Sequence, residues 1–284
     1  MIALLSNDYP VDLLCRLLHC PRSSYYYKEV GADTTVRDAI EQIAAAFPRY
    51  GYRRITAELA RRGIAVNHKR VLRIMQAENL LVAVKRYARP AYKRHDLPRY
   101  PNLIRNVTPE RADQVWGSDF TYIRLRGEWV YLAVILDLFT RAIRGWHLGR
   151  DMTERLVTAA LQNALAAHIA PAIHHSDQGV QYCASGYIAL LQQAGVAVSM
   201  SAAGRPTENA FVERVIRTLK DEEVSLNDYE DFDDAFGRIG QFLDDVYNTK
   251  RVHSALGYKT PAEYEAALRV PSENGTQTPP PSGA

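Results

Sequence analysis

Val115-Trp116-Gly117-Ser118-Asp119-Phe120-Thr121-Tyr122-Ile123-Arg124 is a run of β-branched and aromatic residues with one acid at its centre. The same composition continues through Glu128 to Phe139 and Arg141 to Leu148, broken at Arg126-Gly127 and Thr140-Arg141. Three strands in an antiparallel meander are the expectation. Alternation sets Asp119 on the side of Val115, Gly117 and Thr121, a side that should face inward. A carboxylate buried there without a partner is costly, so something has to compensate it.

Beyond the meander the apolar period lengthens. Thr153 caps an amphipathic helix to about His168, with Leu156, Val157, Ala160, Leu161, Ala164 and Leu165 on its buried side. Ala172 to Asp177 reads as a short strand ending in an acid, Ala184 to Ala194 as a helix, and Val196 to Met200 as a last strand. A Gly204-Arg205-Pro206 loop leads into a helix over Glu208 to Lys220. That element order is RNase H-like: an α/β domain with a mixed five-stranded sheet and flanking helices.

The last helix has two faces. Val212, Ile216 and Leu219 form a buried stripe, while Asn209, Glu213, Arg217 and Lys220 line the next face. Glu213 and Lys220 are two turns apart and point the same way. Taken alone, this is a solvated face with an i, i+4 Glu213–Arg217 pair. Asp119 and Asp177 change that reading. Asp177 ends the fourth strand, where open α/β sheets present their sites, and Glu213 follows it by 36 positions. Carboxylates from a strand centre, a strand tip and a helix face can converge on hard divalent cations, and two such ions suit an in-line phosphoryl displacement.

Trp116 to Ile123, His175 to Tyr182 and Glu208 to Lys220 together resemble the three blocks of the integrase catalytic core. The acid triad is similar to that of DDE transposases and retroviral integrases. Within that group the chain resembles the second-frame (OrfB-type) transposase protein of the bacterial insertion sequence three family. Its pattern leaves 35 residues between the second and third acids and sets a basic residue seven after the glutamate, and both features are present. Phe47 to Ile55 resembles that family's integrase-associated helix-turn-helix. Tyr247-Asn248, Arg251, His253 to Gly257 and Thr260-Pro261 resemble its C-terminal motif.

The resemblance implies that Asp119, Asp177 and Glu213 are catalytic and bind Mg²⁺, with Mn²⁺ as a substitute. It implies strand cleavage and strand transfer at insertion-sequence ends, with Lys220 contacting the DNA end or a phosphate near it. Where many relatives have Tyr-Asp-Asn, this chain has Pro206-Thr207-Glu208-Asn209, which leaves Glu208 as a competing ligand. Glu208 starts the helix, where the dipole stabilises an acid in any case, so Glu213 is the assignment. His174 and His175 read as packed strand histidines, Asp137 as a turn cap beside Thr140 and Arg141, and Trp116 and Trp129 as core.

Net charge is only +3, but its distribution is uneven. Arg49 to Tyr100 is strongly basic and interleaved with tyrosines, whereas acid gathers in Asp221 to Asp234. A front portion facing double-stranded DNA is the inference. Residues 1–30 read as a helical module and 31–82 as an all-α helix-turn-helix domain; its candidate DNA contacts are Arg53, Arg54, His68, Lys69, Arg70 and Arg73. Residues 83–110 read as a basic linker that tracks phosphates, Lys85 and Arg86 among them. The catalytic core takes 111–225, with Gln178, Gln181, Asn209 and Arg217 as further DNA contacts. A helical extension over 226–270, including one long helix from Phe232 to Val246, precedes a disordered tail at 271–284.

Three cysteines make neither a disulfide framework nor a zinc spacing, and no apolar run approaches the roughly 18 residues of a membrane span. A cytoplasmic protein, nucleoid-associated when on DNA, is expected. Expected partners are further copies of itself on DNA and an upstream-frame transposase protein. Two other readings share these features: a DNA-binding regulatory or accessory subunit active only with that upstream partner, and a stand-alone RNase H-type nuclease.

Overall fold

The computed structural model describes residues 2–6, 9–22, 34–82, 99–202 and 205–269. Two short helices, α1 (Ile2–Leu5) and α2 (Val11–Leu17), open the chain. The second helix expected around Tyr25 to Tyr27 lies outside the described residues, as do Lys85, Arg86 and the tail from 270.

A three-helix unit follows: α3 (Thr34–Ala46), α4 (Tyr52–Arg61) and α5 (His68–Ala77). The apolar spacing seen in the sequence becomes its core, with Ile40, Ile43, Ile55, Leu59, Val71 and Met75 all fully buried. Asn67 caps α5 by accepting a hydrogen bond from the Lys69 N–H at 2.9 Å. Val252, from far along the chain, completes this core, and its N–H donates to the Tyr50 hydroxyl at 2.9 Å.

The central sheet has the order β3-β2-β1-β4-β5. Strands β1 (Val115–Arg124), β2 (Trp129–Asp137) and β3 (Ile143–Gly149) form the antiparallel meander; β4 (Ile173–Ser176) and β5 (Ala197–Met200) run parallel to β1. The third strand begins two residues later than its composition suggests. Asp137 holds the turn before it, accepting from the N–H groups of Phe139 at 2.7 Å and Thr140 at 3.3 Å, and Arg141 is left-handed with φ 63°. Asp137 is thus the turn cap the sequence indicated.

Helices α6 (Glu154–Ala167) and α7 (Ser185–Gln193) cover one face of the sheet, against Trp116, Ala133 and Ile135. Helices α8 (Ala210–Leu219) and α9 (Phe232–Gln241) cover the other, against Val115, Val134 and Leu136. The single helix expected from Phe232 to Val246 is composite: α9 passes directly into a π-helical segment, Phe242–Lys250. Its Asn248 closes the outer edge of the sheet, accepting from the Ile143 N–H at 2.9 Å and donating to the Ile143 carbonyl at 3.2 Å. Helix α10 (Pro261–Arg269) ends the described chain, tied to the core by Glu265 and Arg144 at 2.7 Å.

The end of the basic linker is a strap on the core. The Pro101 carbonyl accepts from the Met200 N–H at 3.3 Å, and the Leu103 N–H donates to Ser199 Oγ at 2.9 Å, so residues 99–105 cover β5 and are not free to follow phosphates. Among the described residues, no helix is long and apolar enough to cross a membrane.

Candidate active site

The site grows from a register. Strand β1 pairs with β4 from Val115↔Ile173 to Gly117↔His175. Asp119 lies two residues beyond Gly117 and Asp177 two beyond His175, so the parallel register carries both acids past the same end of the β1–β4 pairing, where the Asp177 charge acts on Asp119. Gly117 brings in the third element. A Cβ there would sit 2.8 Å from Val212 Cγ2 and 2.9 Å from Leu138 Cδ2, so the glycine lets Val212 of α8 pack directly onto β1. Glu213, the next residue, is thereby carried toward Asp119. Asn209 fastens the start of α8, its Nδ2 donating to the Ser118 carbonyl at 3.0 Å.

The electrostatics follow from that crowding. Burial pushes the Asp119 carboxyl well above the usual range, and the charge of Asp177 pushes it further. The Phe120 N–H, 2.8 Å from Oδ1, works against this; Glu213 adds to the rise and Lys220 opposes it. Asp177 Oδ1 accepts from the Gly179 N–H at 2.9 Å, which fixes the loop behind it. Burial lowers the Lys220 ammonium while the Asp119 charge supports it, and Nζ lies 4.6 Å from the Tyr122 ring centroid. Helix α8 ends just before Lys220, which starts a π-helical segment to Val224, so the two-turn spacing from Glu213 is not that of one regular α-helix.

Among the described residues, no three His, Cys, Asp or Glu side chains are drawn tightly enough together to grip one ion as they stand. The donor set still suits hard cations: all three groups are carboxylates, and Asp119 and Asp177, both half-buried, repel each other with Lys220 as the cation that opposes them.

Glu208, the competing third acid, is engaged elsewhere. It lies in a 3-10 turn, Pro206–Asn209, and Oε2 accepts from the Ala202 N–H at 2.7 Å and from Asn102 Nδ2 at 2.8 Å. Arg105 stands 3.3 Å from Oε1. These contacts, the Ala202 N–H foremost, hold its carboxyl below the usual range and bind it to the strap. The histidines are packed. His174 Nε2 lies 3.0 Å from Ser118 Oγ and 2.7 Å from the Tyr187 hydroxyl, and burial lowers it to about 3. His175 Nδ1 lies 2.8 Å from Ser199 Oγ, and burial lowers it to about 4.

The candidate DNA contacts divide. Arg53, His68, Lys69, Arg73 and Arg217 are exposed, and Arg70 is half-buried. Arg54 turns toward the protein, 3.6 Å from Glu222. Gln178, Gln181 and Asn209 are buried; Gln181 Nε2 donates to the Met152 carbonyl at 3.1 Å, and Asn209 serves the staple to β1. Trp116 is core, whereas Trp129 is 45% exposed. Its place beside the Arg126-Gly127 turn, at the very end of a strand, was the signal that it need not be buried.

Comparison with known proteins gives three family matches along the chain: an HTH-like domain over residues 32–89, an integrase core domain over 109–206, and a second integrase core domain over 194–261. The transposase for insertion sequence element IS904 from Lactococcus lactis subsp. lactis (strain IL1403) is 39% identical, over 79% of this chain and 92% of its own length. Transposase InsF for insertion sequence IS3A from Escherichia coli (strain K12) is 32% identical, over 91% and 94%. Among solved structures, a chain of the simian T-cell lymphotropic virus intasome with PP2A regulatory subunit B56 gamma matches with a TM-score of 0.50 and 17% identity, over 86% of this chain and 80% of that one.

Proposed function

Because this chain belongs to the insertion sequence three family of transposases, enzymes built on an integrase core, we propose that it cuts DNA at insertion-sequence ends and joins the cut strand to target DNA at one acidic site. Asp119, Asp177 and Glu213 are the metal-binding carboxylates in this reading. The observation that supports it most is the crowding of Asp119 against Asp177 with Glu213 on the helix above, a surplus of negative charge that a divalent cation would relieve. Mg²⁺, with Mn²⁺ as a substitute, would supply charge at the attacking and leaving oxygens of the phosphoryl transfer.

The chain's own residues do the rest. Asp119 and Asp177 define where the reacting phosphate sits, because their strands fix them to within the register of the sheet. Lys220 offers its ammonium to a neighbouring phosphate oxygen and offsets the acid cluster. Water attacks the phosphodiester at the element end and leaves a 3′-hydroxyl. That hydroxyl then attacks a target phosphodiester, forming one P–O bond as another breaks, so no external energy source is consumed. The exposed face of α5, with His68, Lys69 and Arg73, is suited to the groove of the end sequence. Two ends handled together call for at least two copies on DNA, and an upstream-frame protein joined to this one would add further end recognition.

The test is cleavage and strand transfer on DNA carrying the repeats that flank the gene. Activity should require Mg²⁺ or Mn²⁺ and fall by at least about 10³-fold in Asp119→Asn and in Glu213→Gln. Cleavage that survives in either variant overturns the assignment.

A further inference from the structure

The free end of the β1–β2 hairpin displays large aromatic surface that packing does not need. Tyr122 is 48% exposed and Trp129 45%, with their rings edge to face at 5.4 Å between centroids. The register pairs Tyr122 with Tyr131 and Arg124 with Trp129, so Tyr122, Arg124 and Trp129 share one face of the hairpin. A cation lies over one face of each ring, leaving the other for a base: Arg124 Cζ is 5.0 Å from the Trp129 centroid and Lys220 Nζ 4.6 Å from that of Tyr122. The nearby acid, Glu128, is occupied by Arg150 at 3.2 Å, so the patch is positive.

We propose that Tyr122 and Trp129 form a stacking platform for an unpaired base of the DNA strand processed at Asp119. The proposal rests on the reading of that site as one that acts on DNA strands. Tyr122 lies three residues along β1 from Asp119, roughly 10 Å, and alternation turns the two to opposite faces; β1 has no β4 partner beyond Gly117, so a DNA strand leaving Asp119 reaches Tyr122 around that open edge. Lys220 joins the two places, facing the charge of Asp119 and the ring of Tyr122. Exposed aromatic faces beside cations are how proteins hold single strands: any base can stack on the ring, and the cations take the backbone. A base inside a duplex has both faces covered by its neighbours, so only an unpaired one can use the platform. A base captured here keeps the end of the duplex open and leaves the strand to be cut free to enter the acidic cleft.

The experiment measures binding of the full chain to two duplexes of equal length, one fully paired and one whose terminal base pairs are mismatched and splayed. The splayed end carries 2-aminopurine at its third base. Wild type should prefer the splayed end by about 10-fold and quench the probe, consistent with one stacked base. Tyr122→Ala and Trp129→Ala should abolish preference and quenching while binding the paired duplex as wild type does; Tyr122→Phe and Trp129→Phe, which keep a ring, should retain both. Preference or quenching that persists in the alanine variants, or is missing from wild type, overturns the platform, as would be expected if the patch takes a protein partner instead. The readout needs no catalysis and is repeated in Asp119→Asn. Quenching without cleavage by wild type counts against the transposase reading alone, and cleavage without quenching counts against the platform alone.

Discussion

Asn209 shows how one side chain can fix the approach of two elements. Its amide joins the first turn of α8 to the Ser118 carbonyl, one residue before Asp119, and it is buried. The face it shares with Glu213 and Arg217 suggested a DNA contact from helical spacing alone. A 3-10 turn ahead of α8 rotates it inward, a detail set by the local hydrogen bonds of Pro206–Asn209 and invisible to periodicity. Asn209→Ala should therefore lower unfolding stability by about 1–3 kcal/mol, the cost of leaving a buried carbonyl without its donor. Equilibrium denaturation measures this, and an unchanged stability would mean that the staple is idle. Asp119 and Asp177 stand out in the sequence because an acid at a strand centre or strand tip is expensive enough to require a reason. Trp129 was read as core because strand composition does not say where a sheet face runs out of cover; only its place beside the Arg126-Gly127 turn pointed to exposure.

At the scale of elements, close approach sets the architecture. Gly145 on β3 faces α6, where a Cβ would fall 2.6 Å from the Ala160 carbonyl oxygen and 2.8 Å from the Ala164 nitrogen. Both obstacles are backbone, so neither can swing aside. Gly145→Ala should destabilise the fold by about 1–3 kcal/mol through overpacking, measurable as a lowered denaturation midpoint with an unchanged slope. The order of strands and helices was readable because their periods differ so sharply, two residues against 3.6. The π-helical segments after α8 and α9 were not, because a π-turn adds a residue to the turn and shifts the apolar stripe by about one position, which spacing read over a few residues does not resolve. The strap at 99–105 was read as linker for a related reason: its hydrogen bonds to Ser199, Met200 and Glu208 join residues about a hundred positions apart.

At the scale of the whole molecule, the three-helix unit and the catalytic core are joined by buried charge. Arg251 is almost fully buried and donates twice to Glu222, at 2.7 Å from each carboxylate oxygen. Glu222 also meets Arg54 at 3.6 Å, and Arg49 Nε donates to the Asp221 main-chain carbonyl at 3.2 Å, so the segment just beyond α8 holds the three-helix unit. Arg54 is a strut in this arrangement, which no local pattern could distinguish from a phosphate contact. Arg251→Ala should leave Glu222 short of its main partner and cost about 3–5 kcal/mol, and calorimetry should then resolve separate transitions for the two units. A single transition at the wild-type temperature would show that the clamp does not couple them. Asp119 on β1, Asp177 just past the end of β4 and Glu213 on α8 are the proposed metal ligands, although among the described residues they do not stand as one tight ligand group. Anomalous diffraction from the protein bound to its DNA ends in Mn²⁺ tests this most directly. Manganese should appear between Asp119 and Asp177 and between Asp119 and Glu213, with carboxylate oxygens at about 2.1 Å from the metal. Manganese bound by Glu208, or a site without Glu213, would contradict it.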